Sequence, residues 1–245
     1  MKKITLVLLV FSVALISCNK NASINGNVAL KISASTATGK TSVGGRLATS
    51  SSGRTQSVVS LTSVKVNFGE IKFEVDEDHR KSPADSVYED VKLKGPFLVD
   101  LLSANAFIDR TITSLSIPNG NYKEIEFKFA KVNSTDAMNG KSISISGTID
   151  GKAFEFWSDT TEELKIDFRD KNKNVIISNN DLSLAIKMHL DQLLALIQNA
   201  VSAGLTDKNN NGKIEIDPKN SDGNKDLHDL IKHALENETE LEDGK

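Results

Sequence analysis

The segment Ile143–Trp157 constrains the fold of this chain more than any other. Apolar residues alternate with small or polar ones on both sides of Asp150-Gly151, a dipeptide that favours the tight turn of a β-hairpin. Such alternation places successive side chains on opposite faces of a sheet, so that one face can be buried. The segment therefore predicts two antiparallel strands joined by a two-residue turn.

Similar alternating runs recur along most of the chain. In Tyr122–Val132 one face has Ile125, Phe127 and Phe129, and the other has Glu124, Glu126 and Lys128. The dipeptide Gly95-Pro96 is expected to break the chain between two strands. About nine or ten short strands with turn residues between them are typical of a sandwich or a barrel. We predict a mainly β protein, an antiparallel β-sandwich.

The hydrophobic period changes after His189. Apolar residues then recur at helical spacing, at Leu190, Leu193, Leu194, Ile197 and Val201. A second helix is predicted over Asp226–Leu235. Residues 191–235 are therefore expected to form a helix-loop-helix cap, a C-terminal two-helix extension of the sandwich. The acidic tail, residues 236–245, has little to bury and is expected to fray.

Composition excludes several classes of protein. The chain has 30 Lys and Arg against 33 Asp and Glu, so it has no basic excess to neutralise the phosphates of a nucleic acid. Its single cysteine excludes a disulfide framework and a multi-cysteine zinc site. No apolar run reaches the roughly 18 residues of a membrane-spanning helix. No nucleic-acid partner is expected.

The N-terminus has the features of a secretory signal. Lys2 and Lys3 precede the apolar run Ile4–Ile16 and the small residue Ser17. Leu15-Ile16-Ser17-Cys18 resembles the bacterial lipobox, in which the cysteine thiol receives a diacylglycerol and the signal is cut off before it. The resemblance implies that residues 1–17 are removed and that Cys18 anchors the mature chain in a membrane. The alternative is an ordinary signal peptide in which Cys18 is incidental.

Residue types divide the chain before the predicted helices into a tether and a domain. Residues 18–25 are expected to be a tether and residues 26–190 the β-sandwich domain, in which residues 33–57 form a flexible loop rich in Ser, Thr and Gly.

Asn19 follows the cysteine, where the enterobacterial sorting system uses Asp to retain lipoproteins in the inner membrane. We therefore predict an outer-membrane lipoprotein. Residues 19–23 contain no acidic export cluster, which favours the periplasmic side over the cell surface.

Three segments resemble a family of cell-envelope lipoproteins known as domain of unknown function 4382. They are Val58–Phe73, Pro96–Leu102 with its Asp100-Leu101-Leu102, and Ile117–Ile125, where a Pro/Gly turn is followed by Tyr122. The likeness covers roughly residues 58–190 and is a pattern of strands and turns. It implies an immunoglobulin-like β-sandwich without an established activity.

Residues 207–215 resemble the first half of a calcium-binding loop of the EF-hand or dockerin type. Oxygen-bearing side chains stand at loop positions one, three and five, glycine follows at six, and the position-seven carbonyl adds a ligand. The predicted ligands are Asp207, Asn209, Asn211, Lys213 and Asp217. Position twelve is Pro218 instead of an acidic residue, and later candidates are Asp222, Asn224 and Asp226. The alternative is a polar turn that binds no metal, and no other cofactor is expected.

Other chemistry has little support. The four histidines, His79, His189, His228 and His233, include no i, i+4 pair for zinc. Trp157 is the first candidate for a sugar platform, although packing within a strand is favoured. The sequence has no Gly-x-Ser-x-Gly elbow and no phosphate-binding glycine loop, so no catalytic residue is predicted.

These features predict a non-enzymatic lipoprotein that acts as a binding or scaffolding module in the cell envelope. Its partners would be the membrane, through the lipid anchor, and an unknown envelope protein or glycan. The alternative is a calcium-stabilised envelope glycan hydrolase, which would need two convergent carboxylates with shifted pKa values.

Overall fold

The computed structural model describes residues 25–36, 58–76, 89–104, 106–168, 175–177, 182–237 and 239–242. Within these ranges the protein is mainly β, with two helices. The strands are β1 Asn25–Ser35, β2 Val59–Val75, β3 Val91–Asp100, β4 Leu102–Ser103, β5 Ala106–Phe107, β6 Arg110–Pro118, β7 Gly120–Phe129, β8 Ile143–Ile149, β9 Lys152–Ser158, β10 Glu163–Asp167, β11 Val175–Ile177, β12 Leu182–His189, β13 Lys213–Ile216 and β14 Thr239–Glu242. The helices are α1 Asp191–Ser202 and α2 Lys225–Asn237, close to the predicted bounds.

The larger sheet is organised around β2, a strand of 17 residues. Along one edge β2 pairs with β3, and along the other edge it pairs first with β8 and then with β7. The predicted hairpin is confirmed, since β8 and β9 are antiparallel neighbours. Asp150 and Gly151 have φ of 50° and 82°, as a tight hairpin turn requires. The strand order is β10-β7-β2-β8-β9-β13, and β11 adds to β7.

Asn67 divides the partners of β2. Its backbone N–H donates to Ser142 O at 2.8 Å, and its carbonyl accepts the N–H of Ala130 at 3.1 Å. The Asn67 side chain is buried and donates from Nδ2 to Ala130 O at 2.7 Å. Asn67 therefore bonds to the residue that follows β7 and to the residue that precedes β8, at the point where β2 changes partner.

The smaller sheet has the order β14-β12-β1-β6. Its central strands β1 and β12 are parallel, as are β9 and β13 in the larger sheet. The expectation of a wholly antiparallel arrangement is wrong for these two pairs. In each case a long stretch of chain, with other elements in it, separates the two strands, so no hairpin dictates their direction.

One hydrophobic cluster contains buried side chains from both sheets and both helices, among them Leu30, Phe127, Ile186, Ile197 and Ile231. Three strands of the smaller sheet contact the larger one: β6 contacts β3, β1 contacts β11, and β14 contacts β10. Helix α2 contacts β9, β13 and α1. The smaller sheet thus lies against the part of the larger sheet that contains β3, β10 and β11, whereas α2 lies against β9 and β13 and α1 packs on α2.

Two sequence predictions are wrong because strands pair through their backbone groups at positions where the residue types predicted no strand. The tail was expected to fray, but Thr239–Glu242 pairs with β12, whose backbone groups accept an edge strand whatever its polarity. Gly95-Pro96 was expected to break the chain, but β3 continues through it. β3 pairs with β2 alone among the described strands, and proline is tolerated on such an edge.

Several predictions concern residues outside the described ranges. They include the signal peptide 1–17, Cys18, the tether up to residue 24 and most of the loop predicted over residues 33–57. The first residues of that loop, 33–35, belong to β1.

Candidate functional site

The loop over residues 207–215, here the Asp207 loop, leads from the region after α1 into β13. Asp207 is buried, and its carboxylate accepts the N–H groups of Asn211 at 3.1 Å and Gly212 at 2.9 Å. Gly212 has a φ of 92°, which explains a glycine at loop position six. The side-chain oxygens of Asn209 and Asn211 accept the N–H groups of Asn211 and Lys213, both at 3.0 Å. The side-chain oxygens at positions one, three and five thus hold the loop's own amides.

Asp222 completes this loop from outside the predicted ligand set. Its side chain is buried, and its Oδ1 accepts the N–H groups of Lys208 and Asn209, both at 3.0 Å. Its Oδ2 accepts the N–H of Glu215 at 2.7 Å. The sequence indicates Asp222 only as a later candidate, because nothing in the spacing shows that the chain folds back here after β13.

Asp217 lies apart from this group. It follows β13, four residue steps beyond Lys213, which corresponds to about 13 Å along a strand. Its Oδ1 accepts the N–H of Lys219 at 2.7 Å, and its buried Oδ2 has no hydrogen-bond partner. The structure therefore brings together Asp207, Asn209, Asn211 and Asp222, and leaves Asp217 at the other end of the strand.

The Asp207 loop has side-chain oxygens of the kind that bind calcium, but each already accepts a hydrogen bond from an N–H group. Lys152 Nζ lies 3.1 Å from Asp207 Oδ2. Burial raises the pKa of Asp207, but Lys152 and the N–H groups of Gly212 and Asn211 outweigh it and lower that pKa below the usual range. The same contacts that hold the loop would stabilise a turn without metal, so calcium binding stays a prediction.

A second group of acidic side chains lies on the outward face of the larger sheet. Glu74 of β2 and Glu124 and Glu126 of β7, here the Glu124 cluster, bring carboxylate oxygens within 4.8 Å of one another. In the described part of the chain, no other set of three His, Cys, Asp or Glu side chains does so. The alternation of β7 correctly put Glu124 and Glu126 on a polar face. The contribution of β2 was missed, because strand pairing is not visible in a single sequence.

Three lysines neutralise the Glu124 cluster. Lys72 Nζ lies 3.0 Å from Glu74 and 3.3 Å from Glu126, and Lys123 Nζ lies 2.6 Å from Glu74. Lys165 of β10 donates to Glu126 and lies 3.8 Å from Glu124. A metal ion at these carboxylates would have to displace ammonium groups, so the arrangement is that of an ion-pair network.

The pKa values of the two β7 carboxyls move apart. Burial and the neighbouring Glu126 raise the pKa of Glu124. Burial acts the same way on Glu126, but hydrogen bonds from Lys165 and Lys72 outweigh it and lower its pKa. Burial alone would lower the pKa of Lys72, and its hydrogen bonds to Glu74 and Glu126 raise it instead. Two neighbouring carboxyls whose surroundings move their pKa values apart are the pattern from which acid and base roles arise in enzymes.

Trp157 does not form a sugar platform in this structure. Its side chain is 9% exposed, and the Nζ atoms of Lys141 and Lys219 lie 5.5 Å and 5.4 Å from its ring centroid. A sugar stacks on an open aromatic face, and this ring has little area left for one.

The described histidines form no metal site. His228 is buried in α2, stacks on Phe156 with ring centroids 5.5 Å apart, and has Nδ1 2.9 Å from Asp229 Oδ1. His233 is 79% exposed and lies 3.7 Å from Glu236. His79 lies outside the described residues.

Neither helix in the described ranges is long and apolar enough to cross a membrane. Comparison with models of known families, with curated proteins and with solved structures gives no match to this chain.

Proposed function

We propose that the protein is a bacterial envelope lipoprotein that is anchored through Cys18 and acts as a non-enzymatic binding or scaffolding module. The observation that carries this proposal is the position of the only cysteine, directly after Leu15-Ile16-Ser17 at the end of an apolar signal. Two or more acyl chains suffice for stable anchoring. The proposal includes an outer-membrane location, facing the periplasm.

The proposal also includes a two-layer β-sandwich of the kind implied by the resemblance to domain of unknown function 4382. The contact between Tyr122 and Pro118 supports it. Tyr122 Oη donates to Pro118 O at 2.9 Å where the chain passes from β6 in the smaller sheet to β7 in the larger. A tyrosine that bonds back to the backbone at such a crossing is a feature of immunoglobulin-like sandwiches.

A non-enzymatic role is favoured by the state of the acidic side chains. In the Glu124 cluster and in the Asp207 loop, every described carboxylate has an ammonium or N–H partner. A binding module requires only a stable frame, and these contacts stabilise one.

The second candidate is a calcium-stabilised envelope glycan hydrolase. The raised pKa of Glu124 beside the lowered pKa of Glu126 favours it, because glycoside hydrolysis uses one protonated and one ionised carboxyl.

The first experiment is the intact mass of the chain purified from bacterial membranes. We expect loss of residues 1–17 and addition of diacylglycerol, with Cys18→Ser as the unacylated control. A mature chain without acyl mass would contradict the anchor. Protease treatment of intact cells then tests the facing: protection until lysis supports the periplasmic side, and digestion supports the surface.

A separate assay distinguishes the two functions. Envelope glycans are incubated with the wild type and with Glu124→Gln. Turnover that is lost in Glu124→Gln would establish the hydrolase, whereas no turnover by either protein supports the binding module.

A further inference from the structure

The position of β1 limits how far the folded part can lie from the anchor. Residues 19–24 separate Cys18 from Asn25, where β1 begins. A fully extended chain advances at most about 3.6 Å per residue, so Asn25 lies within about 25 Å of Cys18.

Asn25 lies at one end of the smaller sheet, and the adjacent end of the larger sheet lies beside it. These two adjacent ends are here called the near end. Asn25 pairs with Pro118, the last residue of β6. The chain then turns at Asn119 into β7, and Tyr122 pairs with Val75 at the end of β2. Backbone pairing thus brings the start of β1, the β6–β7 turn and the end of β2 together.

The opposite end, here the far end, contains the other termini of the same strands. β1 ends at Ser35, whose carbonyl accepts the N–H of Leu190 at 2.9 Å just before α1. β2 begins at Val59, beside the β8–β9 turn, where Asp150 N–H donates to Val58 O at 2.9 Å. β2 would span about 50 Å if it were straight, at about 3.3 Å per residue.

In the described ranges, the lateral surface of the protein has few features that would bind it to a bilayer. The exposed large hydrophobic side chains in the described ranges are Leu98, 45% exposed, and Leu230, 56% exposed. They lie on separate elements, β3 and α2. Removal of residues 1–17, with Lys2 and Lys3, changes the formal net charge from −3 to −5 (28 basic and 33 acidic residues), which provides no general attraction to anionic headgroups. The tether is then the main link between the folded part and the membrane.

We infer that the protein stands end-on, with the β6–β7 turn toward the lipid headgroups and the β8–β9 turn, the Asp207 loop and the helices pointing away. This inference rests on the proposed anchor at Cys18. In this orientation the near end faces the lipid surface, and the far end is the part most accessible to a partner in the envelope.

Energy transfer from a labelled thiol to acceptor-labelled lipids tests this orientation. Ser116→Cys is the near-end site, since Ser116 is exposed and lies two residues before Pro118. Thr62→Cys is the far-end site, since Thr62 is exposed near the start of β2. Both changes replace a small hydroxyl residue on a strand. The only native cysteine would be blocked by acylation, so each variant has one free thiol.

The lipidated variants are purified from membranes, labelled, and reconstituted in phosphatidylcholine vesicles with acceptor-headgroup lipids. We expect about twofold higher transfer efficiency from Ser116→Cys, because the two ends lie tens of ångströms apart along β2. Equal transfer, or stronger transfer from Thr62→Cys, would overturn the end-on orientation while leaving the anchor intact. Failure of both variants to float with the vesicles would instead refute the anchor, and the inference with it.

Discussion

The hydroxyl of Tyr122 donates a hydrogen bond to the carbonyl oxygen of Pro118 at 2.9 Å. This bond joins the start of a strand in the larger sheet to the end of a strand in the smaller one. The Tyr122 ring is fully buried and packs edge-on against Phe73, with centroids 5.9 Å apart. The residue therefore fixes the corner between the sheets by a polar contact and an apolar one.

Replacing Tyr122 separates these two contributions. Tyr122→Phe keeps the ring and removes the hydroxyl, so it should lower the free energy of unfolding by about 1–2 kcal/mol. Tyr122→Leu also removes the aromatic contact with Phe73 and should cost about 2–4 kcal/mol. Urea denaturation measures both values. A Tyr122→Phe variant as stable as the wild type would show that the bond does not stabilise the corner.

The same residue should make the protein sensitive to alkali. Burial, with a contribution from the charge of Asp90, raises the pKa of Tyr122 from 10.0 to about 12. Between these values the unfolded chain loses the tyrosine proton while the folded protein keeps it. The stabilisation is thus complete below pH 10 and is lost as the pH rises toward 12.

Denaturation at a series of alkaline pH values measures this loss. Tyr122→Phe is the control, because it has no hydroxyl to titrate at this position. Its stability should fall less steeply over the same range than that of the wild type. Identical slopes for the two proteins would contradict the assignment.

The sequence predicted most of the strands because their alternation follows directly from one buried and one exposed face. Asp150-Gly151 allowed the hairpin to be placed to the residue, since few dipeptides favour two successive positive φ values. The parallel pairing of β1 with β12 could not be predicted. It joins segments more than a hundred residues apart, and alternation is the same for either strand direction.

The candidate sites were harder to predict for a related reason. Glu124 and Glu126 were placed on the correct face, but Glu74 and the lysines that neutralise them lie on neighbouring strands whose register is a tertiary property. Asp217 was a predicted ligand although it stands one place before position twelve of the loop, which is Pro218. β13 is an extended strand and places Asp217 at the end remote from the Asp207 loop. The chain after β13 folds back and places Asp222 beside that loop.

Glu126 should contribute measurably to stability through Lys72 and Lys165. Its side chain is 10% exposed, and both lysines contact it. Glu126→Gln removes the charge with little change in shape and should cost about 1–3 kcal/mol at neutral pH. Because the folded-state pKa of Glu126 is lowered from the ordinary 4.5, this contribution should be complete above pH 4.5 and be lost as the pH falls from there through the lowered pKa.

Glu163→Gln provides the matched control on the same sheet. Glu163 is 38% exposed and pairs with Lys128, which is 51% exposed, at 3.3 Å. Such exposed pairs contribute roughly 0–1 kcal/mol, so this variant should unfold close to the wild type. Equal losses in the two variants would show that burial of the Glu126 pairs adds nothing to their strength.

Calcium should stabilise the folded protein if the Asp207 loop binds it, as the sequence predicts. A ligand present at about a hundred times its dissociation constant raises the free energy of unfolding by about 2.7 kcal/mol. Thermal unfolding with calcium and with a chelator measures the shift, and Asp207→Asn should abolish it. Asp136→Asn is the control, because Asp136 also accepts a backbone N–H in a polar turn, that of Met138 at 2.8 Å, and lies outside this loop. It should retain the full calcium shift. A wild-type protein that unfolds at the same temperature with calcium and with chelator would identify the loop as a turn held by its own amides and Lys152.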